Sequence, residues 1–180
     1  MIKIRFGEYT LCDGIEMQIT EYYGHGLSQE IDEHHRIISY SKEQGQKLGF
    51  QLDVNSNMYK KDIVINELKN SFFVVTKAIY KGIEFIVEPG FVNEIIVLRS
   101  DEEHKLKEIG YKEYLIGDEK KISEVELNFT RYFKVHNGYI ISIKINLINN
   151  LWEERKQSKY NLPLPDGLEH YKEIKISSNG

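Results

Sequence analysis

Three stretches of the chain alternate apolar and polar residues with a period of two, and each is interrupted by a glycine in a turn-forming setting. This constrains the fold more than any other feature, because a period of two puts every second side chain on one face of an extended strand. In residues 2–22, Ile2, Ile4 and Phe6 share a face, and Tyr9 and Leu11 return three residues out of phase. One extra residue at Gly7, in a bulge, restores the phase. Asp13-Gly14 then marks a hairpin. A two-residue loop sets Leu11 against Glu16 and Tyr9 against Gln18. A three-residue loop, Cys12-Asp13-Gly14, sets Leu11 against Ile15, Tyr9 against Met17 and Arg5 against Glu21. The second register matches apolar faces and adds an ion pair, so it is the one predicted, with Gly14 left-handed.

Residues 72–98 hold three β-rich runs punctuated by Lys81-Gly82 and Pro89-Gly90. A two-residue Lys81-Gly82 loop aligns Tyr80 with Ile83 and Ala78 with Phe85. Both faces are apolar, which predicts a central position in a sheet. In residues 124–148, Val125, Leu127, Phe129, Phe133 and Val135 share one face, and Ile141, Ile143, Ile145 and Leu147 another. A three-residue loop, His136-Asn137-Gly138, pairs Phe133 with Ile141 and Phe129 with Ile145, so the apolar faces coincide.

Helical signals are fewer. Residues 101–109 follow Ser100 as an N-cap, carry acids in the first turn and end before Gly110. Residues 28–38, 41–48, 61–69 and 149–159 are further short helices on this reading, 161–167 is a loop and 170–176 a last strand. The expected class is α+β, a mainly antiparallel sheet of hairpins and meander (2–22, 72–98, 124–148) with a few short helices. A length of 180 residues with 41% apolar residues suits one domain, 1–180, with 177–180 frayed.

Composition narrows function. The single cysteine, Cys12, excludes an internal disulfide framework and a cysteine-based zinc cluster, and suits a reducing compartment. No basic segment precedes an apolar core at the start, and no apolar run approaches the roughly 20 residues that span a bilayer. A cytoplasmic protein without membrane contact is expected. The net charge of −4 argues against nucleic acid as the main ligand, since phosphate neutralisation needs a basic surface.

Chemistry-bearing residues concentrate in Tyr22–Ile37, YYGHGLSQEIDEHHRI. On a helix over 28–38, Glu30 and His34 lie one turn apart, and so do Asp32 and His35. Successive residues diverge by about 100°, so the two pairs cannot converge on one ion. No HExxH, GxSxG, GxGxxG or phosphate-loop pattern occurs. Neither metal nor cofactor is expected. His34-His35 lacks the downstream Asn and His of an HNH nuclease site. Cys12 sits beside Asp13, which disfavours the thiolate.

Two functions remain. The first is a protein-binding module whose acidic surface, Glu30, Asp32 and Glu33 or Asp101, Glu102 and Glu103, meets a basic partner. Bacterial immunity proteins that neutralise toxin nucleases are similar in type, being single-domain, acidic and motif-poor, and a basic toxin domain would be the partner. Twelve tyrosines suit an interface. The second is a small-ligand-binding protein or enzyme, with a pocket around Arg131 and the 22–37 loop. It uses His25, His34, His35 and an Arg131 expected on the apolar face between Phe129 and Phe133, opposite Ile143.

Overall fold

The structure, a computed structural model, describes residues 2–22, 34–39, 41–92, 94–117 and 129–176. These residues are mostly strand. In chain order the elements are β1 (Phe6–Cys12), β2 (Ile15–Tyr22), β3 (His34–Ser39), α1 (Lys42–Lys47), β4 (Gln51–Asp53) and β5 (Met58–Ile63). Then come β6 (Phe72–Tyr80), β7 (Ile83–Val92), β8 (Ile95–Ser100), α2 (Glu103–Glu108) and β9 (Lys112–Glu113). The last are β10 (Arg131–Val135), β11 (Gly138–Lys144), β12 (Asn150–Gln157) and β13 (Tyr171–Glu173). Helices are few and short, as expected, but the strands do not form a simple series of hairpins, and pairing is mixed. β9 runs parallel to β10, whereas the hairpin pairs run antiparallel. No helix among the described residues is long and apolar enough to cross a membrane.

The chain divides into two compact units: a first of Met1–Phe6, Val75–Glu154 and His170–Gly180, and a second of Gly7–Val74 and Arg155–Glu169. Residues 177–180, expected to fray, lie outside the described residues.

In the first unit the strand order is β6-β7-β8-β11-β10-β9, with β12 paired to β6 and β13. The Lys81-Gly82 loop has the expected register, Tyr80 opposite Ile83 and Ala78 opposite Phe85. Both loop residues take positive φ (49° and 78°), the type I′ geometry that matches strand twist. Pro89-Gly90, read as a turn, instead lies within β7 at an irregularity between Glu88 and Val92, and the chain reverses after it, with Val92 opposite Ile95. Leu98 faces Val87 on one side and Ile141 on the other, and Ile96 faces Ile143. This row and Leu106 of α2 are at most 1% exposed. Each buried aliphatic side chain contributes about 1.5–3 kcal/mol, which makes this the unit's main core.

Two further expectations fail here. Residues 149–159 are not helical: Asn150–Gln157 is a strand with Leu151 and Trp152 buried. The 124–148 hairpin has Phe133 opposite Ile140, not Ile141, around a two-residue His136-Asn137 loop. Phe129 and Thr130 are helical, so the strand starts at Arg131. Gly138 explains the shift. A Cβ there would stand 2.5 Å from the Ser100 carbonyl oxygen, so this glycine serves a close approach of β11 to the end of β8.

In the second unit β1 and β2 lie in the order β4-β5-β3-β2-β1, each neighbour antiparallel. The first hairpin is closed by two residues, Asp13 (φ 48°) and Gly14 (φ 76°), so Cys12 faces Ile15, Leu11 faces Glu16 and Thr10 faces Met17. The three-residue loop is wrong, although Gly14 is left-handed as expected. That loop would suit a hairpin with one buried face. In fact Met17 and Ile19 pack with Ile37, Phe50 and Tyr59, while Tyr9 on the other face packs with Phe72 and Val74. With both faces covered, turn chemistry sets the register. Of the helix expected over 28–38, residues 34–39 are strand β3 and 28–33 lie outside the described residues. α1 forms within 41–48 as expected, with Ser41 Oγ accepting from the Gln44 amide. Residues 61–69 end β5 and make one 3₁₀ turn, Ile65–Glu67.

Candidate functional site

Glu30, Asp32, Glu33 and His25 lie outside the described residues. His34 opens β3 opposite Tyr22, and His35 follows it opposite Glu21. Arg131 opens β10 opposite Lys112 of the parallel strand β9. It does not sit on the apolar face: its neighbour Tyr132 enters the core at 0% exposure, while Arg131 and Phe133 are half-buried on the other side of the strand. The one-residue shift in register causes this reversal. Arg131 belongs to the first unit and His35 to the second.

Of the acidic turn, Asp101 and Glu102 lie between β8 and α2 in the first unit, and Glu103 opens α2. The helix begins later than its acids suggest. Ser100 Oγ accepts from the Glu102 amide at 3.1 Å, capping the turn before α2 and not the helix itself. Leu106 anchors α2 in the core, which holds the turn in place. Each carboxylate already has a partner within the chain. Asp101 Oδ1 accepts from Arg99 Nη1 at 2.9 Å. Glu102 pairs with Lys105 at 2.6 Å and lies 3.3 Å from His104. Glu103 accepts from the Tyr132 hydroxyl and pairs with Lys107 at 3.0 Å. These contacts favour the charged forms of Glu102 and Glu103. The Lys105 ammonium holds the Glu102 carboxyl below its ordinary value, and the Tyr132 hydroxyl and then Lys107 do the same for Glu103. The row is a charge-paired turn, not a bare acidic patch.

Beside it stands a feature outside the expected site. Leu115 is 60% exposed and Ile116 is 99% exposed. Their tip is tied to β10 by the residue before them: the Tyr114 amide donates to the Tyr132 carbonyl at 2.9 Å, and the Tyr114 ring stacks on Phe133 at 4.8 Å. Because Tyr132 also reaches Glu103, apolar tip and acidic turn are joined through one buried tyrosine. The available signal was the run Tyr-Leu-Ile-Gly at 114–117, apolar yet in phase with no strand.

Polar groups elsewhere serve structure or form small clusters. Cys12 is a half-buried free thiol at the end of β1, and burial first, then Asp13, push its pKa up. Among the described residues, no three His, Cys, Asp or Glu side chains are arranged to hold a metal ion. In the second unit Glu21, His35, Lys159 and Tyr160 form a polar cluster joined by hydrogen bonds and ring contacts.

Compared with family models, with curated proteins and with solved structures, the chain gives no match in any of the three.

Proposed function

We propose that this chain is a protein-binding module whose contact face is the end of the first unit bearing Leu115, Ile116 and the Asp101–Glu103 turn. The observation that carries the reading is Ile116, 99% exposed on a tip whose base Tyr114 anchors to β10. A protein interface combines an apolar anchor with a polar rim, and most binding energy comes from a few central apolar or aromatic side chains. A tip anchored at its base loses less entropy on docking than a free loop does. The acids divide the labour. Since Lys105, Lys107 and Arg99 already engage them, they contribute to steering and partner choice more than to affinity. An acidic rim selects a basic surface, and in its finer form the reading is an immunity protein that covers a basic toxin domain.

The test is direct titration against a basic protein encoded by a neighbouring gene, with Ile116→Asp and Glu102→Lys variants beside the wild type. Ile116→Asp is expected to weaken binding about tenfold or more. Glu102→Lys is expected mainly to slow association and flatten its salt dependence. A neighbourhood without such a gene, or binding that survives Ile116→Asp, rejects the proposal.

A further inference from the structure

The second unit carries a polar site that the partner reading does not use and on which it does not depend. Pairing places its parts on one sheet face. Glu8 of β1 is opposite Ile19 of β2, and Ile19 is opposite Ile37 of β3. Two residues further along, Glu21 is opposite His35. Alternation therefore puts Glu8, Glu21 and His35 on the side that carries Ile19 and Ile37. The Ser158–Tyr160 turn covers this end of the face. Tyr160 packs against the apolar cluster of Met17, Ile19 and Ile37. Its hydroxyl donates to Glu21 Oε1 at 3.1 Å. The Lys159 amide donates to Glu8 Oε1 at 3.3 Å, and the Lys159 ammonium pairs with Glu21 Oε1.

That ammonium also lies 5.2 Å from the centre of the Tyr160 ring. A cation held between a carboxylate and the face of an aromatic ring is the arrangement proteins use to bind organic cations. Here the cation comes from the chain itself, on a side chain 54% exposed and so able to swing into solvent. Two polar atoms are left over. Glu8 Oε2 and His35 Nε2 are both buried and have no hydrogen-bond partner among the described residues. His35 is only 8% exposed, and its ring meets Tyr160 edge-on at 5.2 Å. Buried polar atoms without partners are rare and call for an explanation.

We propose that Glu8, Glu21, His35 and Tyr160 form a binding site for a guanidinium group, which the Lys159 ammonium fills as an internal substitute. The chemistry favours guanidinium over ammonium. An ammonium is a compact charge with three donors, whereas a guanidinium is a planar fork with five that also stacks on aromatic rings. It can keep the Glu21 contact, lie against Tyr160 and still direct N–H groups at Glu8 Oε2 and His35 Nε2, with the imidazole proton on Nδ1. With Lys159 displaced, the two carboxylates leave the site negative. A metal ion is the poorer occupant, since no suitable ligand triplet occurs among the described residues.

The test uses the full chain and two probes that differ only in head group, n-butylguanidinium and n-butylammonium. Binding is followed by calorimetry and by the NMR shifts of the His35 and Tyr160 ring protons. n-Butylguanidinium is expected to bind saturably and to move both rings, and n-butylammonium to bind about tenfold more weakly or less. Lys159→Gln removes the internal competitor from an exposed position, and is expected to tighten n-butylguanidinium about tenfold, as removal of a competing state requires. Glu21→Gln is expected to abolish binding with the circular dichroism spectrum unchanged. Equal affinity for the two probes, no gain in Lys159→Gln, or no saturable shift in either the wild type or Lys159→Gln overturns the proposal.

Discussion

Arg5 and Glu153 meet inside the first unit through two parallel bonds, Nε to Oε1 at 2.6 Å and Nη2 to Oε2 at 2.5 Å, across 148 residues of sequence. Both residues are buried, at 9% and 5% exposure. The Arg5 backbone is secured as well: its amide donates to Thr76 Oγ1 at 3.0 Å, and its carbonyl accepts from the Thr76 hydroxyl at 2.8 Å. The pair thus ties the first residues of the chain to β6 and β12. Coulomb attraction between buried charges is largely offset by their desolvation, so breaking the pair costs far more than the pair contributes. Glu153→Leu, which removes the buried carboxylate facing the guanidinium, is expected to destabilise the protein by about 3–5 kcal/mol in urea denaturation. The double variant Arg5→Met with Glu153→Leu is expected to recover most of that loss. A double variant no more stable than Glu153→Leu alone would show that the pair does more than neutralise its own charges.

This pair also marks the limit of what alternation could reveal. Alternation matches Arg5 with Glu21, which requires the three-residue loop at Asp13-Gly14. Local chemistry was legible at Lys81-Gly82, which gave its register correctly, and over 41–48, where α1 forms. Register failed at the first hairpin because Phe72 and Val74 cover its second face, a contact distant in sequence. It failed at β10–β11 because Gly138 answers to the carbonyl of Ser100, again distant. The candidate site followed the same rule. The acids of the 101–103 turn were visible, but their partners Tyr132 and Arg99 were not, and Lys159 had no reason to be placed beside Glu21.

The two glycines at these turns separate backbone strain from collision. Gly14 has φ 76°, and an added Cβ would meet nothing within 4 Å, so Gly14→Ala meets only the left-handed penalty, about 1–2 kcal/mol. Gly138 has φ 127°, and its Cβ would lie 2.5 Å from the Ser100 oxygen and 3.3 Å from the Asp101 Cα. Gly138→Ala must therefore displace backbone as well, and is expected to cost clearly more than Gly14→Ala. Urea midpoints of the two variants decide this. Equal losses would contradict the close approach of β11 to β8.

Cys12 is expected to be a sluggish nucleophile. Burial is the largest influence that raises its pKa, Asp13 adds to it and Lys61 opposes both. Since the thiolate is the reactive form, alkylation by iodoacetamide near neutral pH is expected to run at least about tenfold slower than for an unhindered thiol. Asp13→Asn is expected to speed the reaction and Lys61→Gln to slow it. A rate that ignores both changes would place control in steric access instead of charge.

The bond between Glu103 and Tyr132 couples stability to pH at both ends of the scale. The Glu103 carboxyl is held below its ordinary value, by the Tyr132 hydroxyl first and Lys107 second. Tyr132 is pushed up, by burial first and by Glu103 second. A depressed carboxyl contributes stability that is complete above the ordinary carboxylate range, and it is lost as pH falls towards the folded value, because there the unfolded chain binds more protons. A raised phenol contributes stability that is complete below the ordinary tyrosine range, near 10, and it is lost as pH rises towards the folded value. Urea midpoints are therefore expected to fall at both extremes, with Glu21, Asp53 and Glu102, whose carboxyls are also lowered, adding to the acid side. Glu103→Gln should shrink the acid loss while leaving the alkaline loss largely in place, since burial dominates the Tyr132 shift. Tyr132→Phe should shrink both, because it removes the phenol and the main support of the Glu103 carboxylate. An acid limb unchanged by Tyr132→Phe would mean that Lys107, not Tyr132, governs Glu103.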